Sequence, residues 1–252
     1  YYNALDAASG EGITQVLSQF TATEYTWRAY HPFHLQTDVA QISDTFWQPF
    51  RHAFTSMQRR MDVFFAGRNV IDDGQSTWVV SMGHLMGLFD HPWLGIQPTG
   101  KMVMLRYAEF HKVENNKITE TAFYFDIPHL MAQAGQSPFA DQLGAHNIQP
   151  GPQPHNALIF NDADPTEGQK TIDTIHAMIN DLGTWQSGLP IEEELARTWH
   201  KDMIWWGPAG IGSTYTIERY AKQHATPFRA AFTDRSSTGH IAPGSYTPLT
   251  LP

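Results

Sequence analysis

Apolar and polar side chains alternate most regularly in the middle of the chain, and this alternation predicts a strand over residues 101–113. Five side chains share one face of this predicted strand: Val103, Leu105, Tyr107, Glu109 and His111. The other face is also largely apolar, so both faces should be covered by other parts of the chain. Residues 114–117 form a predicted turn, because asparagine tolerates a positive φ angle, and a second strand returns over residues 118–125.

Spacings of three and four residues predict two helices upstream of this hairpin. The first carries its apolar side chains over residues 13–20, and this helix should end within residues 22–26. The second carries six apolar side chains at helical spacing: Val39, Ile42, Phe46, Phe50, Phe54 and Met57. Because proline cannot donate a backbone hydrogen bond, Pro49 should kink this helix or split it in two.

Strands are predicted on both sides of a turn at residues 72–74, over residues 61–65 and 77–89. A short helix over residues 128–134 should follow the central hairpin. Helices followed by an antiparallel sheet indicate an α+β fold.

Beyond the short helix the composition shifts to Gly, Pro and Gln, and a linker is predicted over residues 144–163. The chain is therefore expected to divide into a first domain, residues 1–143, and a second, residues 164–252. An aspartate followed by proline opens the second domain and predicts a helix over residues 164–183, with a shorter one over residues 191–199.

A seven-residue segment recurs in the two halves. PFRHAFT at residues 49–55 returns as PFRAAFT at residues 227–233, a shift of 178 residues with six of seven positions identical. This match predicts two tandem copies of one fold. The same shift carries the later strands of the fold past the last residue, so the second copy is expected to be incomplete. The tail, residues 242–252, has three prolines and no strand alternation.

Charge and composition exclude several classes of protein. The net charge is −9, with 16 Lys and Arg against 25 Asp and Glu, which argues against a nucleic-acid partner. No apolar run approaches the ~20 residues of a membrane span, so no membrane partner is expected. The absence of cysteine excludes disulfides, thiolate metal sites and cysteine nucleophiles. The sequence does not begin with methionine, and a cytoplasmic location is only the default expectation.

Motifs for cofactors and metals are weak. Residues 95–101 are similar to a phosphate-binding loop, but Met102 replaces the magnesium-binding Ser or Thr and a strand follows where a helix should. None of the 13 histidines forms an H-E-x-x-H motif, so neither a metal nor a cofactor is predicted. The 8 Trp, 9 Tyr and 15 Phe suit a pocket for a small hydrophobic or aromatic molecule, or they fill two small cores.

The stretch over residues 83–135 combines GH-x-x-G, LGI-x-PTGK and a hairpin that ends in FD-x-x-x-L-x-x-Q-x-G. The residues that carry these motifs are Gly83, His84, Gly87, Leu94, Gly95, Ile96, Pro98, Thr99, Gly100, Lys101, Phe125, Asp126, Leu130, Gln133 and Gly135. In this order and spacing they resemble the SnoaL-like polyketide cyclases, over about residues 11–140. The resemblance implies a cone-shaped, curved antiparallel sheet with packed helices, of the nuclear transport factor two-like superfamily. It also implies a buried pocket and cofactor-free acid/base chemistry on a polyketide-like ester.

Geometry ranks the polar candidates on the central hairpin. If the hairpin pairs in regular register, four pairs follow: His111 with Glu120, Glu109 with Ala122, Tyr107 with Tyr124, and Leu105 with Asp126. His111 would then lie about 20 Å from Asp126, too far for one proton relay. His84, on the preceding strand, is instead the expected neighbour of Asp126, with Tyr107 and Tyr124 lining the same zone.

The candidate catalytic residues are Asp126, His84, Glu109 and His111. The expected lining of the substrate pocket is Trp47, Phe50, Met86, Tyr107 and Tyr124. Asp126 is the expected general base, yet it could equally cap the following helix, and His84 could be a core histidine with satisfied hydrogen bonds. Glu109 could form half of a buried ion pair with Arg106 or Arg60, or belong with His111 to a second polar cluster.

The favoured function is a SnoaL-like cyclase or isomerase that moves a proton next to a carbonyl, by aldol-type ring closure or a related step, on a small polyketide-like or aromatic ester. A non-catalytic ligand-binding or oligomerisation module of the same fold is the main alternative. The chain could also form a homodimer. An isomerase, dehydratase or epoxide hydrolase built on the same fold is a third possibility.

Overall fold

A computed structural model of the chain describes residues 1–146, 151–152, 154, 156–161, 164–184, 188–232 and 243–245. The strands are β1 (Thr21–Arg28), β2 (Leu35–Gln36), β3 (Phe54–Asn69), β4 (Thr77–Phe89), β5 (Met102–Glu114), β6 (Lys117–Phe125), β7 (Ile204–Trp205), β8 (Thr214–Tyr215) and β9 (Pro243–Ser245). The α-helices are α1 (Tyr2–Ala7), α2 (Glu11–Phe20), α3 (Val39–Ile42), α4 (Gln48–Ala53), α5 (Ile127–Gln133), α6 (Pro165–Thr184), α7 (Ile191–Leu195), α8 (Ile217–Tyr220) and α9 (Thr226–Ala231). Two π-helical turns, Ser43–Trp47 and Ala221–Ala225, and a 3-10 turn, Val70–Asp72, are also present.

Seven strands form one sheet in the order β2-β1-β6-β5-β4-β3-β9. Neighbouring strands run antiparallel except β1 and β6, which run parallel. The sheet is curved and does not close, and helices α1 to α4 contribute to the core on one of its faces. The predicted α+β fold with a curved antiparallel sheet and packed helices is therefore confirmed.

The β5–β6 hairpin has the predicted register only next to its turn. Glu114 pairs with Lys117 as expected, but Thr119 is then an extra residue on β6 and shifts every later pair by one. The observed pairs are His111 with Thr121, Glu109 with Phe123 and Tyr107 with Phe125. The predicted partners Glu120, Ala122 and Tyr124 are wrong for these residues, because a one-residue bulge cannot be inferred from alternation alone.

The helix predicted around Pro49 consists of three consecutive helical pieces. Helix α3, the first π-helical turn and α4 follow one another without a gap. Pro49 lies in the first turn of α4, where its missing N–H group is tolerated. The helix ends at Ala53, and Phe54 has extended backbone angles and pairs with Phe89 on β4. Phe54 and Met57 are therefore strand residues, and their placement in the helix was wrong.

Strand β5 separates two environments, as its alternation predicted. Its inner face, turned to the helices, carries five buried side chains: Val103, Leu105, Tyr107, Glu109 and His111. Its outer face carries the less buried Met104, Arg106 and Ala108. The core against the inner face is unusually rich in aromatic rings, among them Trp27, Phe46, Trp47, Phe50 and Phe123.

Strands β3 and β4 approach each other closely at Gly83, the first glycine of the GH-x-x-G motif. A Cβ atom on Gly83 would lie 2.0 Å from the carbonyl oxygen of Arg60, so only glycine fits there. The register of β3 shifts between Met61 and Val63, which leaves Asp62 as the extra residue of a bulge. The glycine and the bulge together determine where the side chain of Asp62 points.

The offset of 178 residues in the sequence recurs among the described elements. Helix α8, the second π-helical turn and α9 have the same lengths, 4, 5 and 6 residues, as α3, the first π-helical turn and α4. Strands β7 and β8 pair Trp205 with Thr214, and β1 and β2 pair Trp27 with Gln36 at the same offset. Residue 233, the last of the repeated segment, lies outside the described residues.

Parts of the chain after residue 143 are held against β3. The Phe64 N–H donates to the carbonyl of Ala157 at 2.8 Å, and the Ile159 N–H donates to the carbonyl of Phe64 at 2.7 Å, so the end of the predicted linker runs alongside the strand. Strand β9 pairs with β3 at Arg68 and Asn69. Residues 243–245 of the tail thus form a strand that alternation did not predict. Residues 242 and 246–252 lie outside the described residues.

Candidate active site

The four residues predicted to be catalytic lie in two groups on opposite faces of the sheet. Glu109 and His111 project from the inner face of β5 and are buried. His84 pairs across the strands with Arg106 on the outer face, and Asp126 lies beside the same arginine. The structure therefore does not bring these four side chains into one site.

Glu109 is held by Arg59, which is not one of the predicted site residues. The Glu109 side chain is 1% exposed, and its Oε2 lies 3.3 Å from Nη1 of Arg59 on β3. The Arg59 side chain is 2% exposed and also lies 3.1 Å, Nε to Oδ2, from Asp6 at the end of α1. The expected ion-pair partners, Arg106 and Arg60, are wrong, because the side chain of Arg59 is the one that turns to the inner face.

Two consecutive hydrogen bonds, from Tyr25 to Thr121 and from Thr121 to Nδ1, orient the ring of His111. The Tyr25 hydroxyl donates to Oγ1 of Thr121 at 2.8 Å, and this Oγ1 lies 2.8 Å from Nδ1 of His111. Because the Thr121 oxygen already accepts from Tyr25, its own proton is best placed on Nδ1, which favours the His111 tautomer with the proton on Nε2. That Nε2 lies 3.7 Å from Oε1 of Glu109.

Burial shifts the pKa values of Glu109 and His111 in opposite directions. Loss of solvent raises the pKa of Glu109 to about 7, although the positive charge of Arg59 opposes this shift. Loss of solvent, with a further contribution from Arg59, lowers the pKa of His111 to about 3. At neutral pH His111 is therefore neutral, while Glu109 is near its midpoint between acid and carboxylate.

Aromatic rings cover this group of residues. The guanidinium carbon of Arg59 lies 4.3 Å from the ring centre of Tyr2 and 5.0 Å from that of Tyr107. The rings of Tyr1 and Tyr2 lie 5.2 and 5.6 Å from the ring of His111. We call Asp6, Tyr25, Arg59, Glu109, His111 and Thr121 the inner cluster.

His84 has a different partner from the one expected. Its Nδ1 lies 3.3 Å from Oδ2 of Asp62, the residue that the β3 bulge displaces, and not beside Asp126. Burial lowers the pKa of His84, and the charge of Asp62 opposes this shift. Its Nε2 is buried and has no hydrogen-bond partner among the described residues. The predicted approach of His84 to Asp126 was therefore wrong, because neither the bulge nor the bulge-shifted hairpin was foreseen.

Asp126 caps the helix that follows it, the second of the two roles expected for it. Its Oδ1 accepts a hydrogen bond from the His129 N–H at 3.0 Å, at the start of α5. Its Oδ2 accepts from Nη2 of Arg106 at 2.7 Å and from the Ala209 N–H at 3.1 Å. Both carboxylate oxygens are thus occupied, and one of their donors comes from the second half of the chain.

The residues expected to line one pocket are also divided between the two faces. Trp47 and Phe50 are almost fully buried in the aromatic core, and Tyr107 is buried beside the inner cluster. Tyr124 is 55% exposed on the outer face, and Met86 lies on the outer side of β4. The prediction that these five residues line one pocket was therefore wrong.

Sequence reasoning missed Arg59, Asp6, Tyr25 and Thr121. One signal could have found Arg59, because continuing the alternation of the predicted strand from Met61 back to residue 59 places both on one face. Asp6 and Tyr25 reach the cluster from α1 and β1, which are far from β5 in the sequence. No local pattern could have indicated those contacts.

No metal site is found in the part of the chain that the structure describes, where no three His, Asp or Glu side chains are arranged to hold an ion. Among the same residues, none of the helices has the length and apolar character that crossing a bilayer requires.

The fold and the inner cluster define an α+β protein with a curved antiparallel sheet and a buried carboxylate beside a neutral histidine. No family model and no curated protein matches the sequence. Solved structures do match. One, assigned as a SnoaL-like polyketide cyclase from Jannaschia sp. CCS1, is 18% identical with a TM-score of 0.40 and covers 51% of this chain and 81% of its own.

Two further structures show the same degree of similarity. IdmH from Streptomyces antibioticus, assigned as a polyketide cyclase, is 18% identical with a TM-score of 0.42 and covers 53% of this chain and 95% of its own. A nuclear transport factor two-like protein from Burkholderia thailandensis E264 is 20% identical with a TM-score of 0.39, covering 54% and 91%. These matches span about half of the chain, and a tandem second copy is not shown.

Proposed function

We propose that this chain is a SnoaL-like, cyclase-type enzyme that removes a proton from carbon next to a carbonyl group, with Glu109 as the base. The observation that carries the proposal is the carboxyl group of Glu109, which is fully buried and has its pKa raised to about 7. A general base works best when its pKa lies near the working pH. Most exposed carboxylates titrate well below neutrality and are weaker bases.

The neighbours of Glu109 suit the other requirements of this chemistry. Removal of the proton places negative charge on the carbonyl oxygen of the substrate, and a hydrogen-bond donor there stabilises the enolate. The Nε2–H of neutral His111 lies 3.7 Å from Oε1 of Glu109 and is a donor of this kind. Arg59 adds a fixed positive charge without giving up a proton, since guanidinium stays charged. The expected substrate is a small aromatic or polyketide-like ester.

A ligand-binding module without chemistry is the second candidate, and one observation favours it. The rings of Tyr1 and Tyr2 pack directly on His111, as they would in a closed core. In that case the inner cluster would be a structural ion network, and the raised pKa of Glu109 would have no catalytic use.

Ring opening of nitrobenzisoxazole separates the two candidates, because the reaction needs only removal of a proton from carbon and gives a coloured product. We expect Glu109→Gln to lower the rate by about 10²- to 10⁴-fold. Glu24→Gln, at an exposed position on β1, is the matched control and should leave the rate unchanged. Equal rates for wild type and Glu109→Gln, with both variants folded, would favour the binding module.

We further propose that residues 191–232 are a second copy of the helical part of the same fold. The equal lengths of α3, the first π-helical turn and α4 and of their counterparts at the 178-residue offset support this proposal. Aromatic contacts recur as well, since Phe50 lies 4.5 Å from Phe54 and Phe228 lies 4.9 Å from Phe232 between ring centres. An experimental structure in which residues 191–232 do not superpose on residues 13–54 would refute it.

A further inference from the structure

A cavity of about 460 Å³ lies on the outer face of the sheet, beneath residues 206–209. Strands β4, β5 and β6 supply its floor, and the segment from the second half supplies one wall. Its apolar lining is formed by Met82, Tyr124, Phe125, Pro128, Trp206 and Pro208, with Tyr30 at the side. Ligand pockets for small molecules have about this volume and are mostly apolar.

The charged groups that touch this cavity are already paired within the protein. Arg106 donates to Asp126 at 2.7 Å and to the carbonyl of Gly207 at 3.2 Å. Asp126 accepts from Arg106 and from the Ala209 N–H. A charged ligand would have to break one of these bonds or enter an apolar site without a counter-charge, and both are costly. The cavity is therefore suited to a neutral molecule.

The aromatic side chains of the cavity determine which ligand shape fits it best. Tyr124 is 55% exposed and Trp206 is 40% exposed, although each offers a large apolar surface. The rings of Tyr30 and Tyr124 are roughly parallel, with an angle of 27° between their planes. Flat rings bury most area against other flat rings, so a planar aromatic molecule is favoured over a branched aliphatic one.

One polar group can orient such a ligand. The Tyr30 hydroxyl oxygen accepts from the Phe125 N–H at 3.0 Å. Its own proton has no acceptor among the described residues and can be donated to a ligand. A carbonyl oxygen on the ring system would accept it.

From these observations we infer that the cavity between the outer face and residues 206–209 binds a neutral, planar aromatic ketone. This site lies on the opposite face of the sheet from the inner cluster, so it is separate from the proposed base. It also gives residues 206–209 a role, because the second half of the chain completes a binding site on the first.

Three matched compounds test the inference on the whole chain: fluorenone, fluorene without the carbonyl, and fluorenone bearing a carboxylate. Binding is followed by the NMR signal of the Met82 methyl group, assigned with Met82→Leu and compared with the signals of the other methionines. Fluorenone should shift this signal saturably. Fluorene should bind about two- to tenfold more weakly, as expected for one lost hydrogen bond, and the carboxylate should bind more weakly still.

Two variants locate the site. Tyr124→Ala should abolish the saturable shift, and Tyr30→Phe should make fluorenone and fluorene bind equally. Glu109→Gln should leave binding unchanged, which separates this result from the test of the proposed base. No saturable shift at Met82, equal binding of the carboxylate, or binding lost in Glu109→Gln but kept in Tyr124→Ala would each overturn the inference.

Discussion

His111 Nε2 and Glu109 Oε1 lie 3.7 Å apart on the inner face of β5, and neither atom has a hydrogen-bond partner among the described residues. Both side chains are fully buried, and burial drives both toward their neutral forms. Burial therefore raises the pKa of Glu109 and lowers the pKa of His111. These opposite pKa shifts determine how the free energy of unfolding depends on pH.

The first prediction concerns Glu109→Gln. The folded pKa of His111 is lowered from 6.5 to about 3, so unfolded chains bind a proton on this histidine that folded chains do not. The free energy of unfolding should then rise with pH between about 3 and 6.5, by at most about 1.4 kcal/mol per unit, once Glu109 no longer contributes. Denaturant unfolding at a series of pH values measures this slope.

His111→Asn should show the opposite slope. The folded pKa of Glu109 is raised from 4.5 to about 7, so its contribution to stability is complete below pH 4.5 and is lost as the pH rises to about 7. In wild type the two slopes oppose each other between about 4.5 and 6.5. A wild-type profile in that window as steep as that of either variant would contradict this prediction.

The second prediction is that Arg59→Met destabilises the protein by about 3–5 kcal/mol at pH 8, because it leaves Glu109 buried without its counter-charge. The loss should be smaller at pH 5, where Glu109 can accept a proton. Arg59→Met combined with Glu109→Gln should recover part of the loss, since no charge is then buried alone. Additive effects of the two substitutions in denaturant unfolding would show that the ion pair is unimportant.

The third prediction concerns the close approach at Gly83. Gly83→Ala would place a methyl group 2.0 Å from the Arg60 carbonyl oxygen, and we expect a loss of stability of about 1–3 kcal/mol or more. Gly183→Ala is the control, because nothing lies within 4 Å of its Cβ position in helix α6. It should be neutral or stabilise by up to about 1 kcal/mol. Equal effects in thermal unfolding would contradict the need for glycine at residue 83.

The fourth prediction concerns the contact between the halves. Arg106→Met removes the hydrogen bonds from Arg106 to Asp126 and to the carbonyl of Gly207, so residues 204–215 should exchange their amide hydrogens faster. Arg28→Met, which breaks the more exposed pair of Arg28 with Glu120, is the control. Unchanged exchange in Arg106→Met would mean that this arginine does not hold the segment.

Much of the fold follows from local pattern. The alternation along β5 determined which side chains face the core, and the repeated segment 49–55 identified elements that recur at the predicted offset. The register of the strand pairs was not predicted correctly. Thr119 on β6 and Asp62 on β3 are bulge residues, and in the sequence they look like ordinary strand positions. One inserted residue moves all later pairs, so the neighbours of Asp126 were misplaced.

The site was harder to predict than the fold, because its parts converge through tertiary structure. Glu109 and His111 were selected from their spacing on one strand, but their partners Arg59 and Tyr25 come from other strands. Asp126 was selected from a motif, and the motif reflects helix capping together with a contact to Ala209. A local pattern can indicate that a polar residue is buried, yet it cannot show which charge it meets.

The titration of Glu109 tests the proposed base most directly. Infrared difference spectra between wild type and Glu109→Gln, recorded across the pH range, isolate the carbonyl stretch of the protonated Glu109 side chain. We predict that this band disappears with a midpoint near the pKa of about 7. A midpoint near the ordinary glutamate pKa of about 4.3 would show that Glu109 is a permanently charged ion-pair partner, and the proposed proton transfer would lose its base.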